Sequence, residues 1–232
     1  MNRISTFEEF LEAAFSSVDP ETWGRLRAEF SGEADGVAVD NNDMKRRFEL
    51  NYSKYFDLDY WFRYHWRHAR TLGLDQSEKP QRLLDLGCGA GIFLYICQRM
   101  GHSGVGLDIE MPMYQQMAKV LGVQYLPGRI APMMPLPADL TGFDVISAIA
   151  IKFDRPDFAD RHARVWQLPE WKFFLADLKT RLNPGGRLYI KPNLTSEGAL
   201  FGDPTIEPYL ASISDEVTPH ADFIIPKDRI GA

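Results

Sequence analysis

Three glycines alternate with small residues shortly after an acid in the stretch RLLDLGCGAGIFLY, at 82–95. Asp85 ends a short apolar run, Gly87, Gly89 and Gly91 follow it, and an apolar pattern with helical spacing comes next. Glycine costs about 0.5–1 kcal/mol per position relative to alanine in a regular element. A chain therefore uses it where a turn needs φ > 0 or where a ligand approaches the backbone closely. The pattern predicts a ligand-binding turn between a strand and a helix.

A dinucleotide is one ligand that such a turn can bind. Its fingerprint is G-x-G-x-x-G, in which the last glycine allows close packing of helix on strand. This sequence has G-x-G-x-G, and Ile92 occupies the position at which the fingerprint requires its last glycine. The N-terminus of the following helix still favours an anionic group. The fingerprint itself is not met, so a dinucleotide is disfavoured.

Cysteine chemistry has little support in this sequence. The two cysteines, Cys88 and Cys97, form no Cys-x-x-Cys pair and no Cys/His cluster with metal-ligand spacing. Cys88 lies between two glycines of the turn, and no activating base is evident beside it. We interpret Cys88 as a small residue that fills the turn, and we expect neither a metal site nor a disulfide framework.

The elements that must position this turn alternate between strand and helix from Gln81 onward. Strand patterns occur in LLDL, GVGLDI, VQYLP, FDVISAIAI and RLYIKP, and helix patterns in GIFLYICQRM, YQQMAKVLG and PEWKFFLADLKTRL. The run FDVISAIAI is apolar nearly throughout and rich in β-branched residues, which is typical of a strand buried on both faces. This alternation predicts an α/β fold with a doubly wound, mostly parallel sheet flanked by helices.

The chain before this pattern is predicted to be an N-terminal helical addition. Ser5 with Glu8 and Thr6 with Glu9 both fit a capping box before the helical pattern FLEAAF. An aromatic-rich segment, YSKYFDLDYWFRYHW at 52–66, comes later. Its aromatic side chains could fill a core or cover a pocket, and both interpretations stay open. We place the boundary at Lys79–Pro80, with a helical extension and lid over 1–79 and the core domain over 80–232.

Charge and hydropathy exclude some classes of protein. The 232 residues are 45% hydrophobic and have a formal net charge of −6. Charge-driven binding of bulk nucleic acid usually needs the opposite sign. The N-terminal MNRISTFEEFLEAAF lacks the continuous apolar run of a signal peptide, and no stretch is long and apolar enough to span a bilayer. We therefore expect a cytoplasmic protein without membrane contact, and we do not expect nucleic acid as a partner.

The motifs, in this order, resemble those of class I S-adenosylmethionine-dependent methyltransferases. The first motif of that family has an acid, any residue and then three alternating glycines, which Asp85, Gly87, Gly89 and Gly91 match. FDVISAIAI resembles its fourth strand, and LNPGGRLYI resembles its turn and fifth strand. The resemblance covers about residues 80–192. It implies a class I methyltransferase-like Rossmann fold with S-adenosylmethionine as the cofactor.

The resemblance also implies which residues bind the cofactor. The family's second strand ends in an acid that hydrogen-bonds the ribose hydroxyls, and GVGLDIE places Asp108 there, 23 residues after Asp85. A carboxylate suits this role because it accepts from two vicinal hydroxyls at once. Ile109 matches the apolar position that packs on adenine, and the carbonyl of Gly87 would face the ammonium group. The expected cofactor contacts in the turn and the second strand are Asp85, Gly87, Cys88, Gly89, Gly91, Asp108 and Ile109.

Two features depart from the family's pattern. After the third strand the family often has an acid that contacts the adenine amino group, but the matching stretch here has Arg129, Ile130 and Ala131. We expect the backbone N–H of Ile130 or Ala131 to contact the ring edge instead. The family closes its sheet with an antiparallel hairpin, whereas only ADFIIP has a clear strand pattern after Pro192. The last strand is therefore expected to be short, displaced or absent.

The acceptor site is less well defined. The insertion KFDRPDFADRHARVWQLPEW follows the fourth strand, where the family often has substrate contacts. If the acceptor must lose a proton, His162 is the first candidate base and Asp154 the second. Tyr52 and Tyr55 precede the aromatic helix and are candidate lid contacts, and Trp166 is a further candidate substrate contact. The sequence contains no nucleophile–base pair, so we expect catalysis mainly by positioning.

These features predict methyl transfer from S-adenosylmethionine to an oxygen or nitrogen atom of a small or medium-sized acceptor. The stretch AIAIKFDRP lacks the cysteine of cytosine-C5 enzymes and the Asn/Asp-Pro-Pro-Tyr/Phe motif of adenine-N6 and glutamine enzymes. One alternative is an RNA or protein methyltransferase, for which we expect a basic surface from Arg63, Arg67 and Arg70. The other is a cofactor-binding domain without catalytic activity.

Overall fold

The computed structural model describes residues 6–31, 55–151, 153, 166–194 and 198–231. In this part of the chain, three helices precede a sheet and four more connect its strands. The helices are α1 (Phe7–Ser16), α2 (Pro20–Ser31), α3 (Leu58–Thr71), α4 (Ile92–Arg99), α5 (Pro112–Val120), α6 (Leu168–Arg181) and α7 (Ile206–Ile213). Short 3-10 turns lie at Leu74–Gln76 and Lys227–Arg229.

The described residues form one seven-stranded sheet. Its strands are β1 (Arg82–Leu86), β2 (Ser103–Asp108), β3 (Gln124–Pro127), β4 (Phe143–Ile151), β5 (Leu182–Pro192), β6 (Glu216–Val217) and β7 (Phe223–Pro226). Their order is β3-β2-β1-β4-β5-β7-β6. β1 to β5 are parallel, β7 is antiparallel to β5, and β6 is antiparallel to β7.

This topology confirms the predicted α/β fold with a doubly wound, mostly parallel sheet. The expected strand in ADFIIP is β7, and it lies between β5 and β6. Its hairpin partner β6 has only two residues. The antiparallel hairpin that closes the sheet is therefore present, so the expected departure from the family's pattern is limited to one short strand, one of the three outcomes left open by the sequence.

β4 shows why its sequence is apolar nearly throughout. Val145 and Ile149 face the core that contains residues of α1 to α5. Ile146 and Ala148 face the other core, which contains α6 and α7. Because helices cover both faces of the sheet, apolar residues stabilise both, and no polar alternation remains. Ser147, on the same face as Val145, is a fully buried exception.

The N-terminal helices are anchored on α4. The predicted capping box begins α1: Oγ of Thr6 accepts from the N–H of Glu9 at 3.2 Å, and the Glu9 carboxylate accepts from the N–H of Thr6 at 3.1 Å. The hydroxyl of Tyr95 in α4 donates to the carbonyl of Ala14 in α1 at 2.7 Å. The Tyr95 ring stacks on Phe62 of α3 with a centroid distance of 5.5 Å. One buried side chain thus joins α1, α3 and α4.

We expect Tyr95→Phe to lower the free energy of unfolding by about 1–2 kcal/mol, because the buried carbonyl of Ala14 loses its donor. The ring contact with Phe62 is kept, so the change isolates the hydroxyl. In a chain of this size, each 1 kcal/mol lowers Tm by about 2–4 °C. Urea denaturation of both proteins measures the difference. An unchanged free energy of unfolding would mean that this bond does not hold α1.

Candidate active site

The three glycines of the turn all have the left-handed backbone conformation. φ is +65° at Gly87, +53° at Gly89 and +75° at Gly91. A Cβ atom on Gly87 would lie 2.6 Å from Cγ1 of Ile151, at the end of β4. A Cβ atom on Gly89 would meet nothing nearer than Cζ of Tyr114, at 3.9 Å. The turn needs glycine for its backbone angles, and Gly89 leaves open space that a ligand can approach.

The turn lies where the strand order reverses. β1 has β2 on one side and β4 on the other, and the chain builds the β2 side before it returns to β4. In open α/β sheets, ligands bind outside the carboxyl ends of the strands at such a point. The topology therefore supports the ligand site that the glycines predict.

Asp108, the last residue of β2, is hydrogen-bonded to the glycine turn. Its Oδ2 accepts from the N–H of Gly89 at 2.6 Å, and its Oδ1 accepts from the N–H of Ile109 at 2.7 Å. Burial raises the pKa of this carboxyl group, and the two N–H donors lower it. The backbone thus holds the carboxylate in place, and each oxygen keeps a lone pair for another donor, such as a ribose hydroxyl.

The groups beside Asp108 can accommodate a flat ring. Ile109 is 47% exposed although its side chain is large and apolar. The N–H of Gly128 donates to the carbonyl of Asp108 at 2.7 Å, which brings the loop after β3 beside the end of β2. In that loop, the N–H groups of Ile130 and Ala131 donate to no other residue that the structure describes. An apolar side chain and two N–H donors therefore border the carboxylate.

Asp85 is buried inside the site, with 3% of its surface exposed. One of its oxygens accepts from the hydroxyl of Ser147 in β4 at 2.7 Å. Burial raises the pKa of Asp85 to about 7, the bond from Ser147 lowers it, and the charge of Asp108 raises it. A cation bound nearby would favour the charged form. Sequence reasoning missed Ser147, for which the only signal is one polar residue inside the apolar run VISAIAI at 145–151.

Cys88 has a packing role in the turn. A Cβ atom on Gly106 of β2 would lie 2.4 Å from Sγ of Cys88, so the thiol occupies the space that this glycine leaves. Burial raises the pKa of the thiol, which disfavours a nucleophilic thiolate. The side chain therefore fills the turn, and its backbone is the part that can face a cofactor.

Tyr55 of the predicted lid lies near the glycine turn. Its ring stacks on Trp61 of α3 at 5.8 Å and meets Tyr114 of α5 edge-on at 5.6 Å. Tyr114 is also the side chain nearest to the open space at Gly89. The start of α3 therefore approaches the turn through aromatic contacts.

Trp166 lies in the core on the other face of the sheet from Tyr55. It is 5% exposed and packs on Phe153 at 5.3 Å and on Trp171 at 6.0 Å. These aromatic residues line a narrow pocket that also contacts Ile151 at the end of β4. Its contact with an acceptor stays a prediction, and that pocket is where the contact would occur. The other predicted acceptor-site residues lie outside the described residues: Tyr52, Asp154 and His162.

The part of the chain that the structure describes contains neither a cluster of metal ligands nor a membrane-spanning helix. No group of three or more His, Cys, Asp or Glu side chains there could hold a metal ion. No helix in the same part of the chain is long and apolar enough to cross a membrane.

Comparison with known proteins adds a family match. A family model described as a methyltransferase domain matches residues 58–197, more than half of the chain. Ribosomal RNA small subunit methyltransferase C of Alcanivorax borkumensis is 29% identical over 119 residues, which are 50% of this chain and 33% of that protein. tRNA U34 carboxymethyltransferase of Saccharophagus degradans is 28% identical over 158 residues, 62% of this chain and 42% of that protein. The chain spans less than half the length of either relative.

Similar solved structures include DesVI of Streptomyces venezuelae, with a TM-score of 0.45 and 20% identity over 66% of this chain and 61% of that one. Another is CalS10, an amino pentose methyltransferase of Micromonospora echinaspora, with a TM-score of 0.43 and 24% identity over 60% and 53%. S-adenosylmethionine is the cofactor of the matched family. From the family match, the sheet order and the glycine turn, the chain belongs to the class I S-adenosylmethionine-dependent methyltransferases.

Proposed function

We propose that the protein transfers the methyl group of S-adenosylmethionine to an oxygen or nitrogen atom of a small or medium-sized acceptor. The observation that carries this proposal is the hydrogen bond from Gly89 to Asp108, which fixes a carboxylate beside the open turn. It supports binding of the ribose by Asp108 and of the amino-acid end by the turn around Gly87. The exposed side chain of Ile109 supports packing on adenine. The N–H groups in the loop after β3 support contact with the ring edge.

Positioning is the main contribution that we propose for the protein. A sulfonium methyl is already a strong electrophile, so no covalent enzyme intermediate is needed. The protein must align the acceptor with the methyl group and sulfur and exclude water, and alignment can contribute up to roughly 7–11 kcal/mol. The contact of Tyr55 with Tyr114 supports this role because it brings aromatic surface to the turn. His162 and Asp154 stay candidates for a base in the insertion, and we expect neither to be indispensable.

Charge pairing on α3 supports a small acceptor rather than nucleic acid. Arg63 is paired with Asp59 at 3.0 Å, and Arg70 is paired with Asp75 at 3.4 Å. Of the three arginines considered for a basic surface, only Arg67 has no acidic partner among the described residues. The paired acids reduce the positive potential that a phosphate backbone would need.

RNA is the second candidate acceptor. Both relatives described above are named as RNA-modifying transferases, and this favours RNA as the alternative acceptor. Because this chain covers less than half of either relative, their substrates are only a proposal here. A cofactor-binding domain without activity is a third candidate.

Binding and transfer measurements separate these candidates. We expect calorimetry to show binding of S-adenosylmethionine, and labelled methyl to enter the small-molecule fraction of a cell extract. Label in RNA, with binding that falls steeply as salt rises, would favour the RNA candidate. Binding without transfer to any fraction would favour the inactive domain, and absence of binding would contradict all three.

A cytoplasmic location is also part of the proposal. Cys88 and Cys97 are both free and buried, which suits a reducing compartment. Immunodetection after cell fractionation would check it, and recovery of the protein outside the cytoplasm would contradict it.

A further inference from the structure

A buried polar cluster lies where α3 packs against β5 and the start of β7. His68 of α3, Tyr189 of β5 and Asp222, which immediately precedes β7, are 1%, 0% and 3% exposed. Nδ1 of His68 lies 2.5 Å from the hydroxyl oxygen of Tyr189. Burial raises the pKa of Tyr189, and the nearby carboxylate of Asp222 raises it further. These residues are called the His68–Tyr189–Asp222 cluster below.

Three buried polar atoms in this region have no hydrogen-bond partner among the described residues. They are Nε2 of His68, Nδ1 of His65 and Oδ1 of Asp222. Lys191 Nζ lies 3.3 Å from Oδ1 of Asp222, which makes an ion pair without hydrogen-bond geometry. A buried polar group without a partner destabilises the folded state. Nε2 of His68 and Nδ1 of His65, which have neither a hydrogen bond nor an ion pair among the described residues, indicate a site that a bound polar group completes.

Proton placement leaves Nε2 of His68 as an acceptor. The 2.5 Å contact between Nδ1 of His68 and the Tyr189 oxygen fits either tautomer. Because a nearby carboxylate can only accept, we assign the hydroxyl proton of Tyr189 to the side of Asp222 and the proton of the short contact to Nδ1 of His68. Nε2 then carries a lone pair and no proton. Burial lowers the pKa of His68 to about 4, so the imidazole is neutral at neutral pH. Surrounding charges act in both directions on this pKa: Asp222 raises it, and the basic groups that lower it are Arg67, Lys191 and His220.

The cluster lies on the same face of the sheet as the cofactor turn. In the strand register, Asp85 of β1 pairs with Ser147 of β4, and Ser147 pairs with Tyr189 of β5. Asp85 precedes the turn by two residues, so Tyr189 lies two strands away in the same row. At the usual strand spacing this is about 10 Å. The cluster therefore lies two strand spacings from the turn, on the face where the cofactor turn is.

One face of α3 connects the cluster with the predicted lid. Trp61, His65 and His68 share this face through helical spacing. Ring centroids are 5.7 Å apart between Trp61 and His65, and 6.3 Å apart between His65 and His68. Trp61 stacks on Tyr55, whose edge-on partner Tyr114 lies beside the turn. The side chains on this face therefore extend from the turn to β5.

We propose that the His68–Tyr189–Asp222 cluster is the polar wall of the acceptor site and that the acceptor group is a hydroxyl, whose proton passes to Nε2 of His68. This inference rests on the proposed function. The hydroxyl oxygen forms a bond to the methyl carbon, the methyl–sulfur bond breaks with its electron pair on sulfur, and the proton goes to Nε2. A hydroxyl oxygen becomes strongly acidic as it is methylated, so a weakly basic imidazole suffices. Asp222 stabilises the imidazolium through the Tyr189 hydroxyl.

The solvent side of the cluster carries polar groups past which an acceptor could enter. The side chain of Lys191 is 18% exposed, and its Nζ donates to the carbonyl of His220. His220 is exposed. These groups are hydrophilic, which agrees with a hydroxylated acceptor.

The proton placement can be tested without an acceptor. In protein labelled with ¹⁵N-histidine, the imidazole shifts of His68 should show a protonated Nδ1 and an unprotonated Nε2 at neutral pH. Loss of the signal in His68→Gln assigns it. Tyr189→Phe removes the acceptor of the Nδ1 proton and should increase the share of the tautomer protonated at Nε2. A protonated Nε2 in the wild-type protein would overturn the inference.

The role in the reaction is tested with labelled S-adenosylmethionine and the small-molecule fraction of a cell extract. Tyr189→Phe and His68→Gln should lower kcat by about 10²-fold or more, with cofactor affinity unchanged. Tyr95→Phe is the matched control, because it removes another buried hydroxyl from the same core, and it should keep the wild-type kcat. The labelled product should be a methyl ether.

The remaining outcomes show whether the inference fails alone or together with the proposed function on which it rests. Wild-type kcat in Tyr189→Phe and His68→Gln would overturn the inference and leave the methyltransferase function standing. A labelled N-methyl product would overturn the hydroxyl assignment in the same way. Cofactor binding without any transfer by the wild-type protein would overturn the proposed function, and the inference with it.

Discussion

Asp108→Ala is expected to weaken binding of S-adenosylmethionine by at least about tenfold. The variant loses the acceptor proposed for the ribose hydroxyls, and a hydrogen bond to a charged group contributes about 1.5–3 kcal/mol, where 1.4 kcal/mol is tenfold. It also releases the N–H of Gly89, so the turn loses the bond that orients it. Titration calorimetry with S-adenosylmethionine and with its demethylated product measures both affinities.

Asp144→Ala is a matched control at the opposite end of the sheet. The carboxylate of Asp144 accepts from the N–H of Arg82 and from Nδ2 of Asn183, both at 2.8 Å. Its loss should lower stability and leave the cofactor affinity at the wild-type value. If both variants lose affinity, the cause is a general weakening of the fold. If Asp108→Ala binds as the wild type does, the role proposed for Asp108 is wrong.

The cofactor side could be predicted because its determinants are close in sequence. The first glycine lies two residues after Asp85, and Asp108 ends the next strand, so one strand–helix–strand unit contains both. The hydrogen bond from Gly89 to Asp108 could not be predicted. This bond depends on the register between β1 and β2, which sets where the two strands end relative to each other. No single residue in the sequence determines that register.

The polar cluster depends on segments that are far apart in sequence. His68 and Tyr189 are separated by 121 positions. Tyr189 lies in RLYIKP, where a tyrosine is ordinary for a strand, and His68 follows several other aromatic residues. Neither their residue types nor their spacing in the sequence indicates that these two residues contact each other. They meet because β5 lies beneath α3, and Asp222 joins them because β7 is inserted beside β5.

The aromatic segment before the core contains both buried and exposed rings, and its role as a lid stays a prediction. Phe62 is fully buried and stacks on Tyr95, as expected for a core residue. Tyr60, two residues earlier, is 55% exposed. The rotation of α3 about its axis decides which ring is buried, and residue type alone does not identify it, because both rings are aromatic.

Asp85 is expected to make the protein less stable as pH rises through the weakly acidic range. Burial raises its pKa to about 7 in the folded protein, against 3.8 for the free group. Between these values the folded state holds a proton that the unfolded chain has lost. The free energy of unfolding therefore contains the full contribution below pH 3.8, falls as pH rises, and has lost this contribution above about pH 7.

The size of this effect is about 4 kcal/mol, at about 1.4 kcal/mol for each pH unit between the two pKa values. Asp85→Asn keeps the shape of the side chain and an acceptor for Ser147 but carries no charge. Its stability relative to the wild type should rise as pH increases toward 7, and the comparison cancels most other titrating groups. Ser147→Ala removes the bond that lowers the pKa of Asp85, so its loss of stability should extend above pH 7.

Cofactor binding should oppose this loss, because the proposed position of the cofactor's ammonium group, at Gly87, lies near Asp85 and favours the charged carboxylate. Affinity for S-adenosylmethionine should increase as pH rises toward 7, and binding should release a proton. Calorimetry in buffers of different ionisation enthalpy measures that release, which Asp85→Asn should lack. A stability difference between Asp85→Asn and the wild type that stays constant across this range would refute the raised pKa. Binding without proton release by the wild-type protein would place the ammonium group away from Asp85.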